Sequence, residues 1–159
     1  MPHSQSADAI LRLAIQVEEE GALFYRKLAG LARNPAVKET LLSLAEDELR
    51  HQKDLAQIAN SFSSDGQAVS FPVNVIGMMK NSTETLKRMM KGAQPMDADV
   101  LTLGQAFNIA INNEKSAIRV YTDLANIFTP DLAVVLKKII EEEKGHLDKL
   151  VRIKNFRLS

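Results

Sequence analysis

A chain of 159 residues, 45% hydrophobic and 25% charged, has the length and composition of one globular domain with a substantial core. Twenty basic and twenty acidic residues cancel to a formal net charge of zero, so the overall attraction that nucleic acid or an anionic membrane would exploit is missing, and neither partner is expected. Cysteine is absent, which excludes disulfides, thiolate metal sites and cysteine nucleophiles; any metal must be held by oxygen and nitrogen.

The polar start Pro2-His3-Ser4-Gln5-Ser6 has no signal-peptide pattern, and His3 there reads as inert. From about residue 6 to 33, apolar residues recur at helical spacing through Ile10, Leu13, Ala14, Val17, Phe24 and Leu28, and the same segment carries Glu18-Glu19-Glu20 and Tyr25. Asn34-Pro35 ends this helix and opens the next, Asn34 as a cap and Pro35 at the first position, where its missing N–H costs nothing. The second helix places Val37, Leu41, Leu44, Glu48, His51, Leu55 and Ile58 on one side. Residues 60–72 read as a loop, and a short helix from about Val75 to Lys91 follows. Five of the six methionines (Met78, Met79, Met89, Met90, Met96) fall in this region, as packing residues. The third long helix carries Leu103, Phe107, Ala110, Glu114, Ala117, Tyr121, Leu124 and Phe128. Thr129-Pro130 repeats the Asn34-Pro35 turn, and the last helix carries Leu136, Ile139, Glu143, His146, Leu150 and Ile153 before a basic end that suits a helix C-terminus. The longest apolar run, Leu132 to Leu136, is far short of the roughly 20 residues that span a membrane, so a cytoplasmic location is expected.

Internal repetition organises all of this. Glu48-x-x-His51 recurs 95 residues later as Glu143-x-x-His146, and the two Asn/Thr-Pro turns are also 95 apart. Three residues on a helix is about one turn, so each glutamate and its histidine share a face. Two Glu-x-x-His helices, with a single Glu from each of the other two, are how a four-helix bundle builds a two-metal carboxylate site in its core. The single glutamates are Glu18 and Glu114, each seven residues before one of the chain's two tyrosines, Tyr25 and Tyr121. Glu19 and Glu20 leave the apolar stripe and are expected to face solvent. Four carboxylates balance two divalent cations, and one imidazole per metal among oxygens suits iron or manganese better than zinc or calcium. The second nitrogen of each histidine needs a partner, for which Asp47 and Glu142 are candidates.

On Glu18 with Tyr25, Glu48-x-x-His51, Glu114 with Tyr121 and Glu143-x-x-His146, the sequence resembles the rubrerythrin branch of the ferritin-like superfamily, over all four long helices. The resemblance implies an all-α ferritin-like four-helix bundle of two helix-hairpin repeats, about 6–59 and 101–154, joined by one long crossover, about 60–98, all in a single domain. It implies that Glu18, Glu48, His51, Glu114, Glu143 and His146 hold two irons, with manganese as the alternative, for oxidoreductase chemistry with peroxide or dioxygen. Tyr25 and Tyr121 are the candidates for contact with ligand glutamates. A ferroxidase that handles iron, or a protein whose metal is a structural staple, are the competing readings. Full-length rubrerythrins carry a thiolate-bound iron that this chain cannot form, so an external electron donor such as a rubredoxin or flavoprotein is expected. They also have an extra glutamate three residues from the third-helix ligand, where this chain has Ile111 and Ala117 around Glu114. The length of the crossover and the pseudo-repeat suggest a homodimer, with Leu42, Leu49, Ile118 and Val135 as candidate interface residues.

Overall fold

The structure is a computed structural model that describes residues 3–62, 68–71, 73–91 and 103–157. Four long helices, α1 (Ala7–Leu31), α2 (Pro35–Phe62), α4 (Leu103–Ile127) and α5 (Pro130–Arg157), form two hairpins, and a shorter helix, α3 (Val73–Lys91), lies in the connection between them. This is the expected all-α ferritin-like bundle with a helix in its crossover. The chain reverses sharply at Pro35 and at Pro130. Asn34 caps α2, its Oδ1 accepting from the N–H groups of Ala36 at 2.9 Å and Val37 at 3.3 Å, which satisfies two donors the helix itself cannot. At the matching turn the Thr129 carbonyl takes up the Ala133 N–H at 2.9 Å and starts α5.

The helix directions follow from the two apolar clusters. One joins Ile10, Leu11 and Ala14 at the start of α1 to Leu55 and Ile58 near the end of α2, Tyr121 and Leu124 late in α4, and Leu136 and Ile139 early in α5. The other joins Phe24 and Leu28 late in α1 to Leu41 and Leu44 early in α2, Phe107 and Ala110 early in α4, and Leu150 and Ile153 late in α5. So α1 runs against α2 and α4, and α5 runs against both in turn, while α2 and α4 point the same way, as one long crossover demands. Between the two clusters lies a layer that contains Glu18, Glu48, His51, Glu114, Glu143 and His146, all buried.

Two expectations are corrected. Residues 60–72 are not wholly loop: α2 continues to Phe62, and β2 (Ala68–Phe71) pairs antiparallel with β1 (His3–Ser6), His3 opposite Phe71 and Ser6 opposite Ala68. Neither four-residue strand has a long enough alternation to be read from sequence. Glu20 does not face solvent, because α3 packs along α1 and brings Lys87 Nζ to 3.8 Å from Glu20 Oε1. Glu19 is exposed as expected. Of the methionines, Met79 is buried in the first cluster and Met78 packs against it; the side chains of Met89 and Met90, and all of Met96, lie outside the described residues, as does the side chain of His3. Among the described residues no helix is long and apolar enough to cross a membrane.

Candidate metal centre

The helical registers bring all six expected ligand residues to one place, one Glu from α1, one from α4, and a Glu–His pair from each of α2 and α5. Two groups result, each with one ligand atom per residue and all those atoms within 4.8 Å of one another. Glu18, Glu48, His51 and Glu143 form one; Glu48, Glu114, Glu143 and His146 form the other. Glu48 and Glu143 belong to both, which is where bridging carboxylates stand in a two-metal cluster.

Each imidazole presents Nδ1 to the cluster and Nε2 to the outside. His51 Nδ1 lies 3.0 Å from Glu143 Oε1 and 3.5 Å from Glu18 Oε2. His146 Nδ1 lies 3.0 Å from Glu143 Oε2 and 3.2 Å from Glu48 Oε1. The rings are stacked, 5.7 Å between centroids. On the outer side His51 Nε2 donates to Glu142 Oε2 at 2.8 Å, and His146 Nε2 donates to Asp47 Oδ2 at 3.2 Å. The partners named from sequence are therefore the right ones, and they cross over: each histidine is oriented by the other hairpin. Arg50, which sequence reasoning missed, reaches both, Nη1 to Asp47 Oδ1 at 2.7 Å and Nη2 to Glu142 Oε2 at 2.6 Å. A signal existed, since Arg50 stands where the repeat has Gly145.

The tyrosines also cross over. Tyr25 of α1 donates to Glu114 Oε1 of α4, and Tyr121 of α4 donates to Glu18 Oε1 of α1. Helical side chains lean toward their own N-terminus, so a tyrosine two turns beyond its glutamate reaches back into the polar layer and meets the carboxylate of the facing antiparallel helix.

Atoms arranged for a cation have no other hydrogen-bond partner. Glu18 Oε2, Glu48 Oε1, His51 Nδ1 and Glu143 Oε1 are buried and without a hydrogen-bond partner, although buried polar atoms are almost always paired. His51 Nδ1 illustrates this, for its 3.0 Å approach to Glu143 Oε1 has poor hydrogen-bond geometry. All four atoms point inward to the two groups, and the residues present fit divalent metals with oxygen and nitrogen ligands.

Electrostatics say the same. Burial, and next the charge of Glu48, hold the Glu18 carboxyl well above the usual range; burial, Glu143 and Glu48 do so for Glu114. Burial works against charge on His51, but the carboxylates of Glu143 and Glu18 outweigh it and push the imidazolium up to about 12. For His146 burial is likewise outweighed, by Glu143 and Glu48, and the value rises to about 9. Burial raises Glu143 too, yet its contacts with His146 and His51 prevail and hold it below the usual range. Tyr25 is pushed well up by burial and the Glu114 charge. Without metal, protons thus take over the neutralisation that cations would provide. A cavity of about 20 Å³, lined by Glu18, Gly21, Glu48 and Glu114 with Phe24 and Ala117, lies between α1 and α4 beside the carboxylates and has room for about one water-sized molecule.

The sequence model of the rubrerythrin family matches residues 9–154. A crystal structure from Thermotoga maritima, of a candidate ferritin-like diiron-carboxylate protein, is similar over 98% of this chain and 99% of that one, at 31% identity and a TM-score of 0.73. No curated protein sequence matches significantly.

Proposed function

We propose, from the premise that this chain belongs to the rubrerythrin family, that it binds two iron ions through Glu18, Glu48, His51, Glu114, Glu143 and His146 and uses them as an oxidoreductase toward peroxide or dioxygen. The observation that carries the reading is the overlap of two buried ligand groups in Glu48 and Glu143, since a mononuclear site has no need of two shared carboxylates. When bound, a pair of ferrous ions supplies two electrons to a small oxidant. The chain's own residues do the rest. Glu48 and Glu143 hold the two positions together, and Glu18 and Glu114 close the outer flanks. Tyr121 and Tyr25 fix one oxygen of each flanking carboxylate, so that the other oxygen is left for the metal position. The small cavity at Gly21 leaves space for a water-sized group beside Glu48, where an added Cβ on Gly21 would stand 3.5 Å from Glu48 Oε2. The apolar clusters above and below exclude bulk water.

Reduction after each turnover comes from a separate donor, a rubredoxin or flavoprotein, because this chain has no cysteine to hold a thiolate-bound iron. Anaerobic loading with ferrous iron should give two irons per chain, and stopped-flow mixing with peroxide should change the near-ultraviolet absorbance in a single turnover, with little sustained activity until a donor is added. Iron uptake well beyond two per chain would favour the ferroxidase reading instead. No absorbance change within minutes with either oxidant would leave a structural metal. The homodimer belongs to the same proposal: Leu42 is 42% exposed and Leu49, Ile118 and Val135 are partly buried, and sedimentation at micromolar concentration tests it.

A further inference from the structure

The hydrogen bonds outside the ligand cluster form one continuous chain. It runs from His146 Nε2 to Asp47 Oδ2 (3.2 Å), from Asp47 Oδ1 to Arg50 Nη1 (2.7 Å), from Arg50 Nη2 to Glu142 Oε2 (2.6 Å), and from that same oxygen to His51 Nε2 (2.8 Å). Its two ends are the two imidazoles, and its midpoint is a single guanidinium. We propose that Arg50 is a positioning residue for both metal positions at once, a cross-bundle clamp that fixes Asp47 and Glu142 and through them the orientation of His146 and His51.

Three features support this. First, a planar guanidinium can hold two carboxylates along different N–H directions, whereas an ammonium is a point charge without that fork. Second, Asp47 meets Arg50 through Oδ1 and His146 through Oδ2, and Glu142 accepts from both Arg50 and His51 at Oε2, so neither carboxylate can rotate without disturbing its contact to a histidine. Third, the device occurs once. The repeat puts Asp47 opposite Glu142 and Glu48 opposite Glu143, but it puts Gly145 opposite Arg50, so a single guanidinium spans both carboxylates of a site that is otherwise doubled, while exposed Lys138 approaches only Glu142 Oε1, at 4.0 Å. An exposed ion pair whose only role was to join helices would contribute little and would leave the imidazoles alone. Arg26 of α1 with Glu46 of α2, 3.0 Å apart, is such a pair.

The inference rests on the proposed metal ligands, and its test separates the two. The chain has three histidines, and only His51 and His146 are buried donors in this network, so the imidazole Nε2–H signals of metal-free protein can be followed by nitrogen-15 NMR. Wild type should show two slowly exchanging signals. Arg50→Ala should shift or broaden both; Asp47→Ala should disturb the His146 signal and spare that of His51; Glu142→Ala should do the reverse. Arg50→Lys should restore at most one, and Arg26→Ala neither. In titrations with zinc, a diamagnetic probe, Arg50→Ala should weaken both binding steps about tenfold or more, the scale on which outer partners of metal-bound histidines act. Unchanged imidazole signals and zinc affinities within twofold of wild type in Arg50→Ala, with only a lower thermal midpoint, would overturn the proposal and leave Arg50 as a helix-joining residue. A wild type that binds no metal would defeat the functional reading, while the metal-free spectra would still decide whether Arg50 holds the two rings.

Discussion

Loading the site with two divalent ions at pH 7 should release at least two protons, those of the two imidazoliums. His51 and His146, at about 12 and about 9, each carry an extra proton at that pH, and the raised carboxyls of Glu18 and Glu114 push the count upward. A metal ligand must give up its proton, so both imidazolium protons are displaced as the cations arrive. If two protons leave with two metals, the overall binding constant should change about a hundredfold per pH unit near neutrality, or about 3 kcal/mol. Above pH 9, where His146 in metal-free protein loses its proton, the count should fall by one. Calorimetric titration with manganese in buffers of different ionisation enthalpy reads the count directly. Release of fewer than about two protons at pH 7 would mean that the metal-free cluster holds its charges uncompensated, and the argument that protons stand in for cations would fail.

Metal-free protein should become less stable as pH rises from 6.5 to 9.5. His51 and His146 have folded values raised above an unfolded value of about 6.5, so their contribution is fully present below that pH and is lost as pH climbs through about 9 for His146, while Glu18 and Glu114 act in the same direction from about 4.3 upward; a thermal midpoint that rose over this range would refute the assignment. Glu18→Ala should lose one of the two metals per chain by elemental analysis, whereas Glu19→Ala, at an exposed position, should keep both; the opposite result would shift the register of α1 by one residue. Tyr121→Phe strips the hydroxyl from Glu18 Oε1 and should cost about 1–3 kcal/mol in urea unfolding of metal-free protein, with a similar loss for Tyr25→Phe at Glu114. Stability unchanged in both would show that these bonds have no energetic consequence.

The four long helices and the six clustered residues were legible because the chain states them twice: the spacing of Glu48 and His51 recurs in Glu143 and His146, and a lone Glu-x-x-His would have looked like any exposed helical pair. Which residues meet was less legible. Periodicity reports the face of a residue's own helix, so Tyr25 could be paired with Glu18 on paper, while its hydroxyl bonds Glu114, because the side chain leans along α1 and α4 runs the other way. Arg50 escaped notice for a related reason, since nothing in its local spacing says that Glu142, from the far end of the chain, comes within 2.6 Å. The β1–β2 pair was hidden by brevity, and the cover that α3 gives Glu20 by the fact that sequence assigns a face without saying what packs on it.

The crossing of contacts between hairpins bears on the order in which the molecule assembles. Each hairpin closes over a turn of a few residues and can form early, since its contacts are local, but docking of the two must first close the long intervening segment. The hydrogen bonds to the outer nitrogens of both histidines and from the tyrosines to the flanking glutamates all span that late step. The polar layer is therefore desolvated last, and the rate of docking should depend on what neutralises it. Refolding from urea with manganese present should speed the final phase and leave hairpin formation, followed by far-ultraviolet circular dichroism, unchanged; acceleration of the early phase alone would mean that the metal-binding residues gather before the hairpins meet.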